Sequence, residues 1–264
     1  MMTFTFDLIS DLHLETWEET FDWSGRSTSA HAVVIGDLAK DREQVIHCLD
    51  NLRKNYQAVF YIDGNDEHKN YVEDLTRSYS HLGTVISKIP NVVFLQDNVV
   101  VVDGVAILGT NGWWGFDFDA GIDPSASAEW YAEKENLTSQ EIESIKRMSN
   151  VDANYMISSV KRLQTHQDVK KIVMVTHTVP HPSLIEHDIG LNGTLRFNTM
   201  GNRHMQYALA MDTESKIHTW CFGHYHGDVD QVHGGVRYVN NCRGRGDTPW
   251  SKYVYHPKRI SVEF

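Results

Sequence analysis

The sequence predicts an α/β fold with mixed sheets and helices on the outside. Two observations carry that expectation. Strand-like runs alternate with amphipathic segments over the first eighty or so residues, and short β-branched runs with hairpin signals follow them. In chain order, Thr3–Ser10 reads as a first strand and His31–Ile35 as a second. Asp41 stands where an N-cap would, before a helix with Val45, Leu49 and Leu52 on one face. Gln57–Ile62 is a third strand and Lys69–His81 a second helix. The runs Val92–Leu95, Val99–Val102 and Val105–Leu108 come next. Asp103-Gly104 between the last two is a strong signal for a two-residue hairpin turn.

Gly112–Ser127 is rich in glycine, aspartate and aromatics, and reads as a loop. A helical insertion follows over about 126–167, with Met156, Val160 and Leu163 on one face. Ile172–Thr176 returns to strand, Asn202–Met211 to helix, and Ile217–Phe222 and Val236–Asn240 to strand. Asp228–Val232 is a further strand candidate.

Composition narrows the function classes. A chain of 264 residues suits one domain with a substantial core, here taken as 1–264. The most apolar stretch, Val92–Gly109, is broken by Gln96, Asp97, Asn98 and Asp103, so no membrane span is expected. The opening residues read as a strand rather than a signal segment, which points to the cytoplasm. Cys48, Cys221 and Cys242 are widely spaced with no CxxC pair, so buried thiols are expected rather than disulfides or structural zinc. A net charge of −11 argues against an extended nucleic-acid groove but leaves a small phosphate ligand open. Fifteen histidines raise the expectation of a metal site without locating it.

The residues suited to chemistry gather just after predicted strands, where α/β proteins place their ligand-binding loops. Asp11-Leu12-His13 follows the first strand. Residues two apart on extended backbone point the same way, so this carboxylate and imidazole can share a cation. Gly36-Asp37 follows the second, glycine allowing close approach and the aspartate able to face two ions. Gly64-Asn65-Asp66-Glu67 follows the third and offers a neutral oxygen at Asn65. His177 follows Ile172–Thr176. Gly223-His224-Tyr225-His226 follows Ile217–Phe222 and repeats the two-apart spacing. Each segment alone is ordinary turn material. Their joint order is not.

In that order (DxH, GD, GN, H, GHxH) the motifs resemble the calcineurin-like metallophosphoesterase superfamily, from Asp11 to about Gly246. Asn240-Asn241-Cys242-Arg243-Gly244 is similar to a late-strand stretch of some smaller members. The resemblance implies a four-layer αββα sandwich of two mixed β-sheets flanked by helices. It implies one divalent metal on Asp11, His13 and His226, a second on Asn65, His177 and His224, and Asp37 bridging both. The implied reaction is hydrolysis of a phosphate ester by a hydroxide held between metals roughly 3.5–4 Å apart. Nitrogen and oxygen donors favour manganese, iron or zinc.

Many members carry histidine directly after the motif asparagine. Here that position is Asp66, so Asp66 or His68 is expected to take over part of that role, and good leaving groups should be favoured. Trp113 and Trp114, thickened by Phe116 and Phe118, are expected to offer a stacking surface to a base or aryl group. Arg243 is taken as a substrate contact, with Arg196, Arg203 and Arg245 as further candidates. The ten histidines outside the motifs and His68 are read as structural. The expected substrate is a small nucleotide-like phosphodiester. The alternatives are a phosphomonoesterase acting on phosphoprotein or metabolite, a nuclease, and a scaffold that keeps the fold without the chemistry. The sequence does not specify an oligomeric state.

Overall fold

The fold is described from a computed structural model covering residues 2–69, 74–249 and 251–264. One sheet runs in the order β11-β1-β2-β3-β4 and a second in the order β5-β6-β7-β8-β10-β9. The strands are β1 Thr3–Ser10, β2 His31–Ile35, β3 Ala58–Ile62, β4 Val92–Phe94, β5 Asn98–Val102, β6 Val105–Thr110, β7 Lys171–Thr176, β8 Ile217–Phe222, β9 Asp230–His233, β10 Val236–Asn240 and β11 Lys258–Glu263. Each sheet contains four adjacent parallel strands, β1–β4 in the first and β6, β7, β8 and β10 in the second. Antiparallel pairing is confined to β11, β5 and β9 at the edges.

Alternation along the strands builds the layers. Phe6, Leu8, Val33, Ile35, Phe60 and Ile62 of the first sheet meet Val105, Ile107, Val173, Val175, Cys221 and Val239 of the second in one core. The opposite face of the first sheet (Ile9, Val34, Val59, Tyr61) packs on Val45 and Leu49 of α1 (Arg42–Arg53) and Leu82 of α2 (Leu75–Ile86). The opposite face of the second (Ala106, Leu108, Met174, Trp220) packs on Met156, Val160 and Leu163 of α4 (Ser139–Gln164). Helix, sheet, sheet, helix is the four-layer arrangement expected from the resemblance.

Local chemistry sets the element ends. Asp41 caps α1 by accepting from the N–H groups of Glu43 and Gln44. The β5–β6 turn has Asp103 at φ 48° and Gly104 at φ 82°, the paired positive values that a two-residue hairpin loop requires. The expected helical insertion is two helices. α3 (Pro124–Glu135) ends at Asn136 in left-handed geometry, and α4 opens on a Thr138–Glu141 capping box.

Several expectations are corrected. The second helix begins at Leu75 after an Asp74 cap and runs to Ile86, not 69–81; residues 70–73 lie outside the described ones. Asn202–Met211 is a 3₁₀ run, Arg203–Met211, whose buried residues Met205 and Ala208 are three apart and so match its tighter repeat. The run expected over Val92–Leu95 is the strand Val92–Phe94, which pairs with β3 in the first sheet, whereas the hairpin after it belongs to the second. β11 was not foreseen. Its signal is the alternation of buried Ile260 and Val262 with exposed charged neighbours. All three cysteines are buried thiols. Among the described residues no helix is long and apolar enough to cross a membrane.

Candidate metal centre

The parallel strands β1, β2, β3, β7 and β8 all end on one rim, and the five motifs are the loops that leave them. A bridge between Ser10 and Cys242 ties the two sheets together there. The turns are sharp. Asp11, His13, Asp37 and His224 all have positive φ, between 43° and 64°. Such conformations cost an L-residue roughly 1–2 kcal/mol each and gather at functional sites. Glycine makes the approach possible: a Cβ on Gly36 would overlap the Gly64 backbone, and one on Gly223 would overlap the Asp11 carboxylate.

The seven motif residues converge. His226 Nε2 lies 3.4 Å from Asp11 Oδ1 and 3.2 Å from His13 Nε2. His177 Nε2 lies 3.2 Å from Asn65 Oδ1 and 3.5 Å from Asp37 Oδ1. Asp37 Oδ2 is 3.8 Å from His13 Nε2. One carboxylate therefore stands between two donor sets, an oxygen turned to each. The donor atoms of Asp11, His13 and His226 lie within 4.8 Å of one another, as do those of Asp37, His177 and His224. His224 Nε2 donates to the Thr199 carbonyl at 3.1 Å, which leaves Nδ1 available as a ligand. This all-nitrogen-and-oxygen set, facing inward with few other partners, suits two divalent cations.

Electrostatics agree with that fit. Burial opposes a charged His13 ring, but the carboxylates of Asp66, Glu15, Asp37 and Asp11 outweigh it and push its pKa up to about 10. For His177 burial is likewise outweighed, chiefly by Asp37, and the pKa rises to about 9. Burial would raise Asp11, yet His226, His177 and His13 hold it well below the ordinary carboxylate range. These carboxylates favour the charged form of the His13 and His177 rings, whereas burial lowers the pKa of His224.

A supporting layer fixes the loops. Glu67 accepts from the N–H groups of Asp37, Leu38 and Gly64 and from the Tyr61 hydroxyl. Asp152 of α4 accepts from the N–H groups of Gly112 and Trp113 and from the Thr110 hydroxyl. Sequence reasoning missed both. Glu67 stood in view inside a motif, whereas Asp152 has only its place on an apolar helix face to mark it.

The centre opens into a cavity of about 370 Å³. Asp66 is on its wall, 5% exposed, with Oδ2 3.5 Å from both His13 Nδ1 and Arg245 Nη1. Burial would raise its pKa, but His13 and the charges of Lys40 and Lys69 lower it. His68 is not on the wall. It is buried between Asp63 Oδ2 at 2.8 Å and Ser78 Oγ at 2.7 Å. Asp66–His68 form a 3₁₀ turn, where residues two apart do not share a direction.

Trp113 and Trp114 reach the wall but are each only 1% exposed. Trp113 donates to the Tyr79 hydroxyl at 2.6 Å. Trp114 stacks on the His224 ring at 5.4 Å and 21°. Arg243 lies off the wall, its guanidinium 3.7 Å over the Trp17 ring and paired with Glu19. Arg203 donates to the Asp117 carbonyl at 3.3 Å. Arg196 and Arg245 do reach the wall.

No family model matches the chain. An uncharacterized protein of Acanthamoeba polyphaga mimivirus is 20% identical over 262 residues, 89% of each chain. A phosphopantetheinyl hydrolase from Mycobacterium tuberculosis superposes with a TM-score of 0.66 at 18% identity, covering 93% of this chain and 94% of its own. A protein assigned as a 5'-nucleotidase from Staphylococcus aureus superposes with a TM-score of 0.53 at 13% identity over 99% of this chain. The chain spans about half of that protein, 51%. This chain shares the fold of both.

Proposed function

We propose that the protein is a dinuclear-metal phosphoesterase acting on a phosphate ester, with a small nucleotide-like phosphodiester as its substrate. The observation that supports this most is Asp37, whose two oxygens face separate histidine-bearing donor sets. Asp11, His13 and His226 would hold one ion and Asn65, His177 and His224 the other, with Asp37 shared. Two bound divalent ions of manganese, iron or zinc would supply Lewis acidity and an activated water. Two proteins of the same fold are named for hydrolysis of phosphate esters, in line with this reading.

The chain's own residues divide the remaining work. Asp66 Oδ2 faces His13 Nδ1 across 3.5 Å, and its charge there favours the ring orientation that turns Nε2 toward the ligand set, a positioning role. Because its pKa is lowered, it carries no proton to give a leaving oxygen near neutral pH. Good leaving groups are therefore favoured. The Thr199 carbonyl and the Trp114 ring hold His224 in place from two sides.

Metal analysis of the purified protein, with rates on bis-aryl and mono-aryl phosphates with and without manganese, tests the reading. Expected are bound metal and faster turnover of the diester. A protein that binds no divalent ion, or hydrolyses neither ester, overturns it.

A further inference from the structure

The cavity carries a charge that the proposed reaction does not use. In the whole chain 24 of 264 residues are lysine or arginine, and the net charge is −11. On the cavity wall five of eighteen are basic: Lys40, Lys69, Lys134, Arg196 and Arg245. They arrive from five separate segments: the loop after β2, the turn after β3, α3, the 3₁₀ segment Leu195–Thr199, and the loop after β10.

Three of them have acidic partners. Glu135 is shared by Lys69 at 2.6 Å and Lys134 at 3.4 Å, and Asp66 faces Arg245 at 3.5 Å. Lys40 and Arg196 have no ion-pair partner among the described residues. Lys40 lies three residues past Asp37 in the loop after β2, and Arg196 lies on the 3₁₀ segment whose Thr199 carbonyl accepts from His224. Two divalent ions already meet the charge of one scissile phosphate. Further unpaired cations beside them would be repelled unless an anion lies between.

We propose that the substrate carries phosphate beyond the one that is cleaved, and that Lys40 and Arg196 receive it. Because the two reach the wall from different segments, the additional charge extends along the cavity. The substrate class is a diphosphate ester, or two phosphates on one small scaffold. This rests on the phosphoesterase reading for the identity of the reaction, but not for the binding.

Calorimetry on the purified full chain, with its metals in place, tests the binding. Methylenebisphosphonate is expected to bind about tenfold or more tighter than methylphosphonate, a difference one added charge contact can supply. In the Lys40→Ala, Arg196→Ala double variant that ratio should fall to within about threefold, with an unchanged thermal melt as the folding check. Equal affinities in the unaltered protein, or a ratio the double variant leaves intact, overturn the proposal. Hydrolysis of a nucleoside diphosphate ester and of a bis-aryl phosphate is measured alongside. If neither reacts, the phosphoesterase reading fails while the binding ratio still decides this one. If both react and the bisphosphonate shows no advantage, only the present proposal falls.

Discussion

The rim at the strand ends and the wall above it are built by different means. On the rim, each of the seven motif residues lies within four residues of the end of a parallel strand, and four of them sit in turns with positive φ. On the wall, Trp114 and Arg245 come from loops and Tyr131 from a helix, and each is held by a side chain of another segment. A site fixed by backbone geometry tolerates little change of ligand but much change of surroundings. One fixed by packing is open to substitution, residue by residue.

That contrast can be broken at several points. The largest effect is expected on the rim. Asp37→Ala removes the shared carboxylate, and both metal content and activity should fall, activity by about a thousandfold or more. Retention of two equivalents of metal would remove Asp37 from the bridge. Trp114→Ala should act through stability, costing about 3–5 kcal/mol by urea denaturation because the ring is buried against Tyr131 and His224. A variant as stable as the unaltered protein but slower would make Trp114 a substrate contact after all.

Asp66→Asn keeps shape but loses charge beside His13. Metal affinity should weaken by about 10–100-fold, with kcat recovering at high metal concentration. A loss of kcat that metal cannot restore would mark Asp66 as a catalytic residue instead. Asp152 offers a pH test of the support beneath the aromatic loop. Burial first, and the Asp97 charge second, push its pKa from 3.8 up to about 7, against the hydrogen bonds it accepts. A raised carboxyl pKa favours the native state most below about pH 4, and that contribution is lost as pH rises toward 7. The stability difference between the unaltered protein and Asp152→Asn should therefore shrink from pH 5 to pH 8. A difference that grows over that range contradicts the assignment. The smallest effect belongs to Arg243→Ala, which should leave hydrolysis within about twofold and cost roughly 1 kcal/mol through its Glu19 and Trp17 contacts.

The amino-acid sequence by itself determined the strands β1, β2, β8 and β10 to the residue, the Asp41 cap and the Asp103-Gly104 turn. It also determined the order of the seven donor residues. These depend on side-chain alternation and on turn chemistry within a few residues, which local spacing encodes. Tertiary structure alone decided that Val92–Phe94 and the strand after it belong to different sheets, because both runs have the same period and composition. It also decided that His68 faces Asp63 and Ser78, that Arg245 rather than Arg243 reaches the cavity, and that both tryptophans are almost fully buried. Where a long side chain ends depends on which distant segment offers it a partner, and no spacing along the chain carries that information.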